Sequence, residues 1–259
     1  MGRKHKYIGG IIGAEPLLSG SPRPGVSNLG ALGGDGASDQ HWDDVTLLLN
    51  GEDATIADVS SASTAIADGN SVSRSTSFYK YGSGSLTFSD TVSAAQNYIS
   101  YSGPTLSGDF TLETWWRPDA LPTANGTDEI IWETRAGSSS YPVLTYSGYQ
   151  SGGANYPAIC LYANTGFRIA STTSLSVDTW YHIALVRSGG IYKLFVDGVS
   201  QGTWNNSTTL NATTHYIGRR WTVGGNGSYY SLNADLDDFR FTPGVARYTG
   251  PFDPPTASF

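Results

Sequence analysis

The sequence predicts an all-β protein, an antiparallel β-sandwich preceded by an extended N-terminal arm. Three observations support this fold class. Short apolar runs, many of them alternating with polar residues, are separated by turns rich in glycine, asparagine and aspartate. Only 14% of the residues are charged, whereas the chain holds 16 tyrosines and 7 tryptophans, which favour strands. No segment keeps a helical period over three turns, so long helices are not expected.

Residues 1–42 are predicted to form the arm. They contain 10 glycines and 3 prolines and show no strand or helix period, so they cannot bury enough apolar surface to fold alone. We expect the arm to anchor the chain to a partner protein, by docking into grooves or by adding a strand to a sheet edge. The anchoring side chains are Arg3, Lys4, Lys6, Tyr7, Ile8, Ile11, Ile12, Leu17 and Leu18.

Residues 43–259 are predicted to form the sandwich. In chain order, its strands are VTLLLNG, SGSLTFS, NYISYSG, DFTLETWWRP, EIIWETR, YPVLTYS, PAICLYA, FRIAST, HIALVR, IYKLFV, VSQGTW, HYIGRRW and LNADLDDFRFTPG. The alternation is clearest in DFTLETWWRP, where Phe110, Leu112 and Trp116 share one face and the strand stops at Pro118.

Two tight turns are predicted in the most regular part of the chain. Ser188-Gly189-Gly190 joins HIALVR to IYKLFV, and Asp197-Gly198 joins IYKLFV to VSQGTW. Both turns contain residues that accept a positive φ, as hairpin turns require.

Charge and composition exclude several classes of partner. The net charge is −7, and because the first fourteen residues carry +3, the remainder carries −10. An acidic body argues against nucleic acid as a partner. No apolar run approaches the roughly 20 residues of a membrane span, and no secretory signal peptide is expected. Cys160, the single cysteine, lies in the apolar run AICLY and is expected to be a buried structural thiol.

The order of several motifs resembles a laminin G-like, concanavalin A-like jelly-roll domain. These motifs are LLLNGEDATIADVSS, YKYGSGSLTFSD, DFTLETWWRPDALP, DTWYHIALVRSGGIYKLFVDGVSQG, IGRRW and LDDFRFTPGVARYTGPFDPP. The LLLNG opening and the RYTGPF ending are most similar to the variant found in virion proteins of tailed bacteriophages. The resemblance implies two curved antiparallel sheets, with sugars or proteins bound on one concave sheet face or at one rim. Fold alone does not give function.

Catalysis is not expected. Glycoside hydrolysis needs two carboxylates about 5–9 Å apart, and the resemblance implies an E-x-D-x-x-E pattern on one strand. The nearest matches lack that spacing, and no G-x-S-x-G nucleophile motif occurs. The 4 histidines are therefore interpreted as structural or solvated. The nearest carboxylate matches are Asp128, Glu129 and Glu133 in DEIIWET, and Asp235, Asp237 and Asp238 in ADLDDF.

A cluster of aromatic, amide and basic side chains is the candidate surface for a glycan or a partner protein. Rigid aromatic side chains give contact area at low entropic cost, and amides supply hydrogen bonds. An alternative of similar weight is that Trp221 and Tyr230 close the rim of the sandwich. The cluster consists of Trp204, Asn205, Arg220, Trp221, Asn226, Tyr229 and Tyr230.

No cofactor is expected, although a calcium ion remains an open alternative. The resemblance implies that such domains sometimes hold calcium at the rim through carboxylates and backbone carbonyls. Aspartates and asparagines occur in many turns of this chain, but no dense ligand loop identifies the ligands.

These features predict a non-enzymatic structural protein on the outer surface of a tailed-bacteriophage virion, as a capsid decoration or a tail component. Its expected partners are other virion proteins, further copies of itself in a homo-oligomer, and glycan on the host surface. A secreted or surface carbohydrate-binding lectin is the first alternative, and a glycoside hydrolase is a less favoured one. The sequence leaves the choice between capsid and tail open.

Overall fold

Strands account for nearly all regular structure in the computed structural model. It describes residues 39–69, 72–89, 97–121, 128–134, 141–148, 157–164, 166–219 and 231–259. Within them, a 3-10 turn at Trp42–Asp44 precedes the strands, and no α-helix occurs. The strands are β1 (Leu47–Leu49), β2 (Ile66–Gly69), β3 (Ser73–Ser75), β4 (Ser85–Phe88), β5 (Tyr98–Ser102), β6 (Phe110–Pro118), β7 (Asp128–Glu133), β8 (Val143–Ser147), β9 (Ala158–Ala163), β10 (Gly166–Ala170), β11 (Tyr181–Ser188), β12 (Ile191–Val196), β13 (Val199–Asn205), β14 (Thr214–Ile217) and β15 (Ala234–Pro243).

The strands form two antiparallel sheets, here called the front sheet and the back sheet. The front sheet has the order β13-β12-β11-β6-β15-β4-β3, and β1 also pairs with β15. The back sheet has the order β10-β9-β8-β7-β14-β5-β2. Strands far apart in sequence are neighbours in both sheets, and this arrangement confirms the predicted jelly-roll sandwich.

The long strands β6 and β15 form the centre of the front sheet. Their register pairs Leu236 with Trp116. The register shifts between Asp237 and Arg240, and Asp238 has a φ of 49°. Such a bulge inserts an extra residue into one strand, so Asp237 and Asp238 depart from the alternation of the rest of β15.

The hydrophobic core fills the space between the two sheets. Phe110, Leu112 and Trp116 of β6 lie in it, as the alternation predicted. Two aromatic side chains of the back sheet pack against them. The ring centroids of Phe110 and Trp132 are 5.9 Å apart, and those of Trp116 and Tyr146 are 4.7 Å apart. Tilted and edge contacts of this kind add to the stability gained from burial.

The outer face of the front sheet is buried as well, which alternation alone did not predict. The segment of residues 244–259 lies across this face. In it, the rings of Tyr248 and Phe252 stack with 3.6 Å between their centroids and pack against Ala184 and Phe195. All nine residues of β6 are therefore buried.

A buried ionic cluster lies on this outer face. Glu113 accepts hydrogen bonds from Arg240 Nη2 at 2.7 Å and from the Tyr248 hydroxyl at 2.6 Å. Arg240 and Arg247 both pair with Asp39, each at 2.8 Å. Burial alone would raise the pKa of Glu113, but Arg240, His182 and Arg247 together outweigh burial and hold that pKa well below its usual range.

Residues on the N-terminal side of the predicted boundary contact the sandwich. Asp39 joins the ionic cluster, and the His41 carbonyl accepts a hydrogen bond from Arg247 Nη2 at 3.1 Å. The division of the chain at residue 42 stays a prediction. The anchoring side chains Arg3, Lys4, Lys6, Tyr7, Ile8, Ile11, Ile12, Leu17 and Leu18 lie outside the described residues.

Both predicted tight turns are confirmed. Gly189 and Gly190 have φ values of 57° and 80°, and Asp197 and Gly198 have values of 49° and 72°. The strands β2 and β3 were not predicted. Each is at most four residues long and lies at the end of a sheet, and neither shows apolar alternation.

Cys160 is fully buried in β9, as predicted for a structural thiol. In the part of the chain that the structure describes, no helix is long and apolar enough to cross a membrane.

Candidate functional site

Two loops meet beside the end of β6 and enclose an open cleft of about 570 Å³. One loop follows β3, and the other precedes β11. The buried side chain of Arg117, from β6, lies between them. The lining residues are Thr76, Ser77, Phe78, Tyr79, Arg117, Asp178 and Trp180.

The first loop is fixed on both sides of its aromatic residues. Ser75 Oγ accepts a hydrogen bond from the Phe78 backbone N–H at 3.0 Å, and Ser85 Oγ donates to the Phe78 carbonyl at 2.5 Å. Farther along, Asp237 Oδ2 accepts from the Lys80 backbone N–H at 2.7 Å. The backbone that carries the aromatic pair is therefore held against the front sheet.

The cleft concentrates exposed apolar surface. Phe78 is 50% exposed and Tyr79 is 42% exposed, while Trp180 is half-buried. Val177, which is 40% exposed, lies on the second loop. Three of the five large hydrophobic side chains that are exposed among the described residues thus lie on these two loops. A concentration of exposed apolar side chains marks a contact surface more often than a scatter of single ones does.

Arg117 holds the cleft together. Its Nη1 donates to Asp119 and to Asp235, each at 2.8 Å, and its Nη2 contacts Asp178. The Phe78 ring lies over the guanidinium, with 4.0 Å between the ring centroid and Cζ. One buried cation thereby connects β6, β15 and both cleft loops.

Asp235 supports Arg117 from β15. The Asp235 side chain is buried, and its Oδ1 accepts a hydrogen bond from Thr87 Oγ1 at 2.6 Å. Burial raises the pKa of Asp235, whereas the bonds from Thr87 and Arg117 act in the opposite direction. This carboxylate, one of the catalytic candidates in the sequence, lies behind the arginine and does not line the cleft.

Sequence comparison identifies the family of this chain. A sequence model of the concanavalin A-like lectin/glucanases superfamily matches residues 93–246, more than half of the chain. The chain belongs to this superfamily. No curated protein is a significant match over its sequence.

Solved structures share the fold at low sequence identity. Domain 4 of AbnA, an arabinanase from Geobacillus stearothermophilus solved with arabinotriose, matches with a TM-score of 0.57 and 15% identity over 78% of this chain and 93% of that one. The binding domain of Paraclostridial Mosquitocidal Protein 1 matches with a TM-score of 0.55 and 14% identity over 80% of this chain and 51% of that one. Botulinum neurotoxin type C, whose cell entry depends on interaction with two ganglioside molecules, matches with a TM-score of 0.57 and 13% identity over 78% of this chain and 48% of that one. This chain spans about half the length of the two toxin chains.

Among the catalytic candidates in this concanavalin A-like domain, the β15 carboxylates bind protein groups. Asp237 accepts from backbone N–H groups of the first cleft loop. Asp238 accepts from Ser258 Oγ at 2.9 Å and from the Phe259 backbone N–H at 3.3 Å. Burial raises the pKa of Asp237 to about 6, and burial together with the neighbouring Asp237 raises that of Asp238 to about 8. Neither side chain lines the cleft.

The other carboxylate candidates lie on β7 of the back sheet and do not line the cleft. Asp128 accepts a hydrogen bond from Ser147 Oγ, and Glu129 Oε2 accepts from the Asn233 backbone N–H at 3.1 Å. Glu133 is fully buried. The structure therefore does not bring these carboxylates together with the cleft.

In the described ranges, neither potential metal ligands nor buried histidines form a second candidate site. No group of three or more histidine, cysteine, aspartate or glutamate side chains there is arranged to hold a metal ion. His182 Nε2 lies 3.3 Å from Glu113 Oε2 in the buried ionic cluster. His215 lies among core aromatic rings, and burial lowers its pKa to about 4. Both buried histidines have structural positions.

The predicted binding cluster is described only in part. Trp204 is half-buried, packs against the core and lies 5.3 Å from the Tyr192 ring, centroid to centroid. Asn205 is exposed and lines a second open cleft of about 450 Å³ beside the Gly189-Gly190 turn. Outside the described residues lie Arg220, Trp221, Asn226, Tyr229 and Tyr230.

Sequence reasoning missed the main residues of the Arg117 cleft. Phe78 and Tyr79 stand side by side in the polar stretch STSFYKYGSGS. Two adjacent aromatic residues among serines and glycines were the available signal, because such a stretch has no core of its own to bury them. Nothing local pointed to Asp178 and Trp180 as their partners.

Proposed function

We propose that this chain is a non-catalytic glycan-binding domain and that the Arg117 cleft holds the sugar. The observation that carries the proposal is the set of three aromatic side chains, Phe78, Tyr79 and Trp180, around one buried and fully paired arginine. Membership in a lectin and glucanase superfamily supports a sugar as the ligand class. So does the ligand named for one structural neighbour, arabinotriose.

The cleft suits the chemistry of a sugar ring. Pyranose and furanose rings present polarised C–H groups on their faces and hydroxyls at their edges. The negative faces of Tyr79 and Trp180 attract the C–H groups, while Asp178, Thr76 and Ser77 offer groups for the hydroxyls. The volume of about 570 Å³ lies in the usual range for small-molecule sites.

Glycan-array binding by the full chain tests this function. We expect Tyr79→Ala and Trp180→Ala each to weaken binding by about tenfold or more, because ring contacts at the centre of a site dominate affinity. Their melting temperatures should change little, since Tyr79 is 42% exposed and Trp180 is half-buried. Trp204→Ala is the matched control, an aromatic truncation at the other cluster.

Two results would contradict the proposal as stated. Loss of binding in Trp204→Ala with normal binding in Tyr79→Ala would move the site to the cluster around Trp204. Release of new reducing ends from a bound glycan would favour the alternative of a glycoside hydrolase.

We further propose that the domain is displayed on the outer surface of a tailed-bacteriophage virion, with residues 1–42 as its anchor to capsid or tail proteins. The support is the resemblance of LLLNG and RYTGPF to virion domains, together with the apolar and basic composition of the arm. On a particle, the bound glycan would belong to the host surface, and several copies of the chain would bind together as a homo-oligomer. A secreted or cell-surface carbohydrate-binding lectin is the alternative.

The contacts of Asp39 determine where the arm should be truncated to test anchoring. A deletion should remove residues 1–38 and keep Asp39, because Asp39 pairs with Arg240 and Arg247 in the sandwich. We expect the shortened protein to keep its melting temperature and glycan binding but to be absent from purified particles. Incorporation at the full-length level would rule out the arm as the anchor.

A further inference from the structure

The charged groups of the Arg117 cleft are unbalanced. One guanidinium faces three carboxylates, those of Asp119, Asp178 and Asp235. Asp235 is buried behind the arginine, whereas Asp119 and Asp178 have side chains that are 35% and 67% exposed. Even if only the two exposed carboxylates are counted, negative charge exceeds positive charge at this surface.

The nearby cations of β3 and of the first loop, Arg74 and Lys80, do not line the cleft. Arg74 donates to the carbonyls of Gly51 and Glu52, at 2.5 and 3.0 Å. Lys80 Nζ lies 4.0 Å from the ring centroid of Trp115. Arg117 is thus the single cation among the described lining residues, and its charge is already paired.

One carboxylate oxygen of Asp178 contacts Arg117, and the other can accept a hydrogen bond from a ligand. Oδ1 contacts Arg117, and Oδ2 has no hydrogen-bond partner among the described residues. An ionised carboxylate only accepts hydrogen bonds, so Oδ2 can receive a sugar hydroxyl but not another carboxylate. A second carboxylate placed there would also meet like charge without a compensating cation.

From this arrangement we infer that the cleft selects uncharged sugars and rejects sugars that carry a carboxylate, such as sialic or uronic acids. The inference rests on the proposed glycan-binding function and specifies its ligand class. Asp178 is the residue that determines this selectivity, while Arg117 is a positioning residue that holds Asp178 and Phe78. Selection here comes from a repulsive element added to an apolar platform that would accept many sugars.

Matched glycan pairs test the inference with the full chain. The probes are lactose with sialyllactose, and cellotetraose with its glucuronate counterpart, within a wider array of neutral and acidic glycans. For neutral glycans that bind, we expect the acidic partner to bind about tenfold more weakly or worse. Because exposed charges are screened by salt, the difference should shrink between about 50 mM and 500 mM NaCl.

Two variants assign the effect to its residue. Asp178→Asn keeps an oxygen for Arg117 but removes the exposed charge, so the preference for neutral glycans should fall several-fold. Asp53→Asn makes the same change in net charge at an exposed position outside the cleft and should leave the preference unchanged.

The outcomes separate the two proposals. Equal or tighter binding of the acidic partners, or a neutral preference that Asp178→Asn leaves intact, would overturn the inference while glycan binding itself stood. Failure to bind any glycan on the array would overturn the proposed function and this inference with it.

Discussion

The ring of Phe78 lies on the guanidinium group of Arg117, with 4.0 Å between the ring centroid and Cζ. The half-exposed ring therefore rests on a cation that is buried and bound by three carboxylates. Contacts of this kind contribute on the order of 0.5–2 kcal/mol. Through this contact, a residue of the central strand β6 supports an aromatic side chain in a surface loop.

Replacement of Arg117 by methionine should destabilise the fold as well as the cleft. Asp235, which is buried, would lose its cationic partner and keep only Thr87. Removal of one partner from a buried ion pair typically costs about 3–5 kcal/mol. Urea unfolding measures this cost, and adding Asp235→Asn to the same chain should recover part of it. An Arg117→Met protein as stable as the wild type would show that the pair contributes nothing.

Glu113 should make the fold sensitive to acid. The folded protein holds the pKa of Glu113 below the ordinary value of 4.5, so the unfolded chain takes up the proton first. The stability due to Glu113 is therefore present above about pH 4.5 and is lost as pH falls below it. We expect Glu113→Gln to lose about 3 kcal/mol at neutral pH and to show a shallower decline in the free energy of unfolding between about pH 5 and pH 3. Equal slopes in both proteins would contradict this assignment.

The Asp237–Asp238 pair should act in the opposite direction. The pKa values of about 6 and about 8 lie above the ordinary 3.8, so the folded state holds protons that the unfolded state releases. Their contribution to stability is present below about pH 4 and is lost as pH rises towards 8. Asp238→Asn should reduce this loss, because asparagine is neutral and tolerates the φ of 49°. Thermal unfolding between pH 4 and 9 measures it, and an unchanged profile would exclude the pair as its source.

Gly198 should tolerate no side chain. Its φ is 72°, and a Cβ atom would lie 1.7 Å from the carbonyl oxygen of Phe252, in the segment that covers the front sheet. Gly189→Ala is the matched control, since its φ is 57° and no atom lies within 4 Å of its Cβ position. The control should lose about 1–2 kcal/mol for backbone strain alone, and Gly198→Ala should lose clearly more in urea unfolding. Equal losses would mean that the Phe252 segment moves aside freely.

Local signals in the sequence determined the architecture. Phe110, Leu112 and Trp116 were assigned to the core because side chains alternate across a strand whatever its neighbours are. The turns at Gly189-Gly190 and Asp197-Gly198 were identified because a positive φ is a property of single residues. The strands β2 and β3 escaped this reasoning, since short edge strands need little apolar alternation.

Tertiary structure alone decided the burial of charge and the place of the cleft. Glu113 and Arg240 occupy positions that alternation assigns to solvent, and only the packing of residues 244–259 across the front sheet buries them. Phe78 and Trp180 lie in one cleft because β6 pairs with β11 and with β15. These strands are far apart in the sequence but adjacent in the sheet. Sequence periodicity reports which way a side chain points from its own backbone. The group that the side chain contacts depends on the order of strands in the sheet. That order is set by contacts between segments that are distant in the sequence.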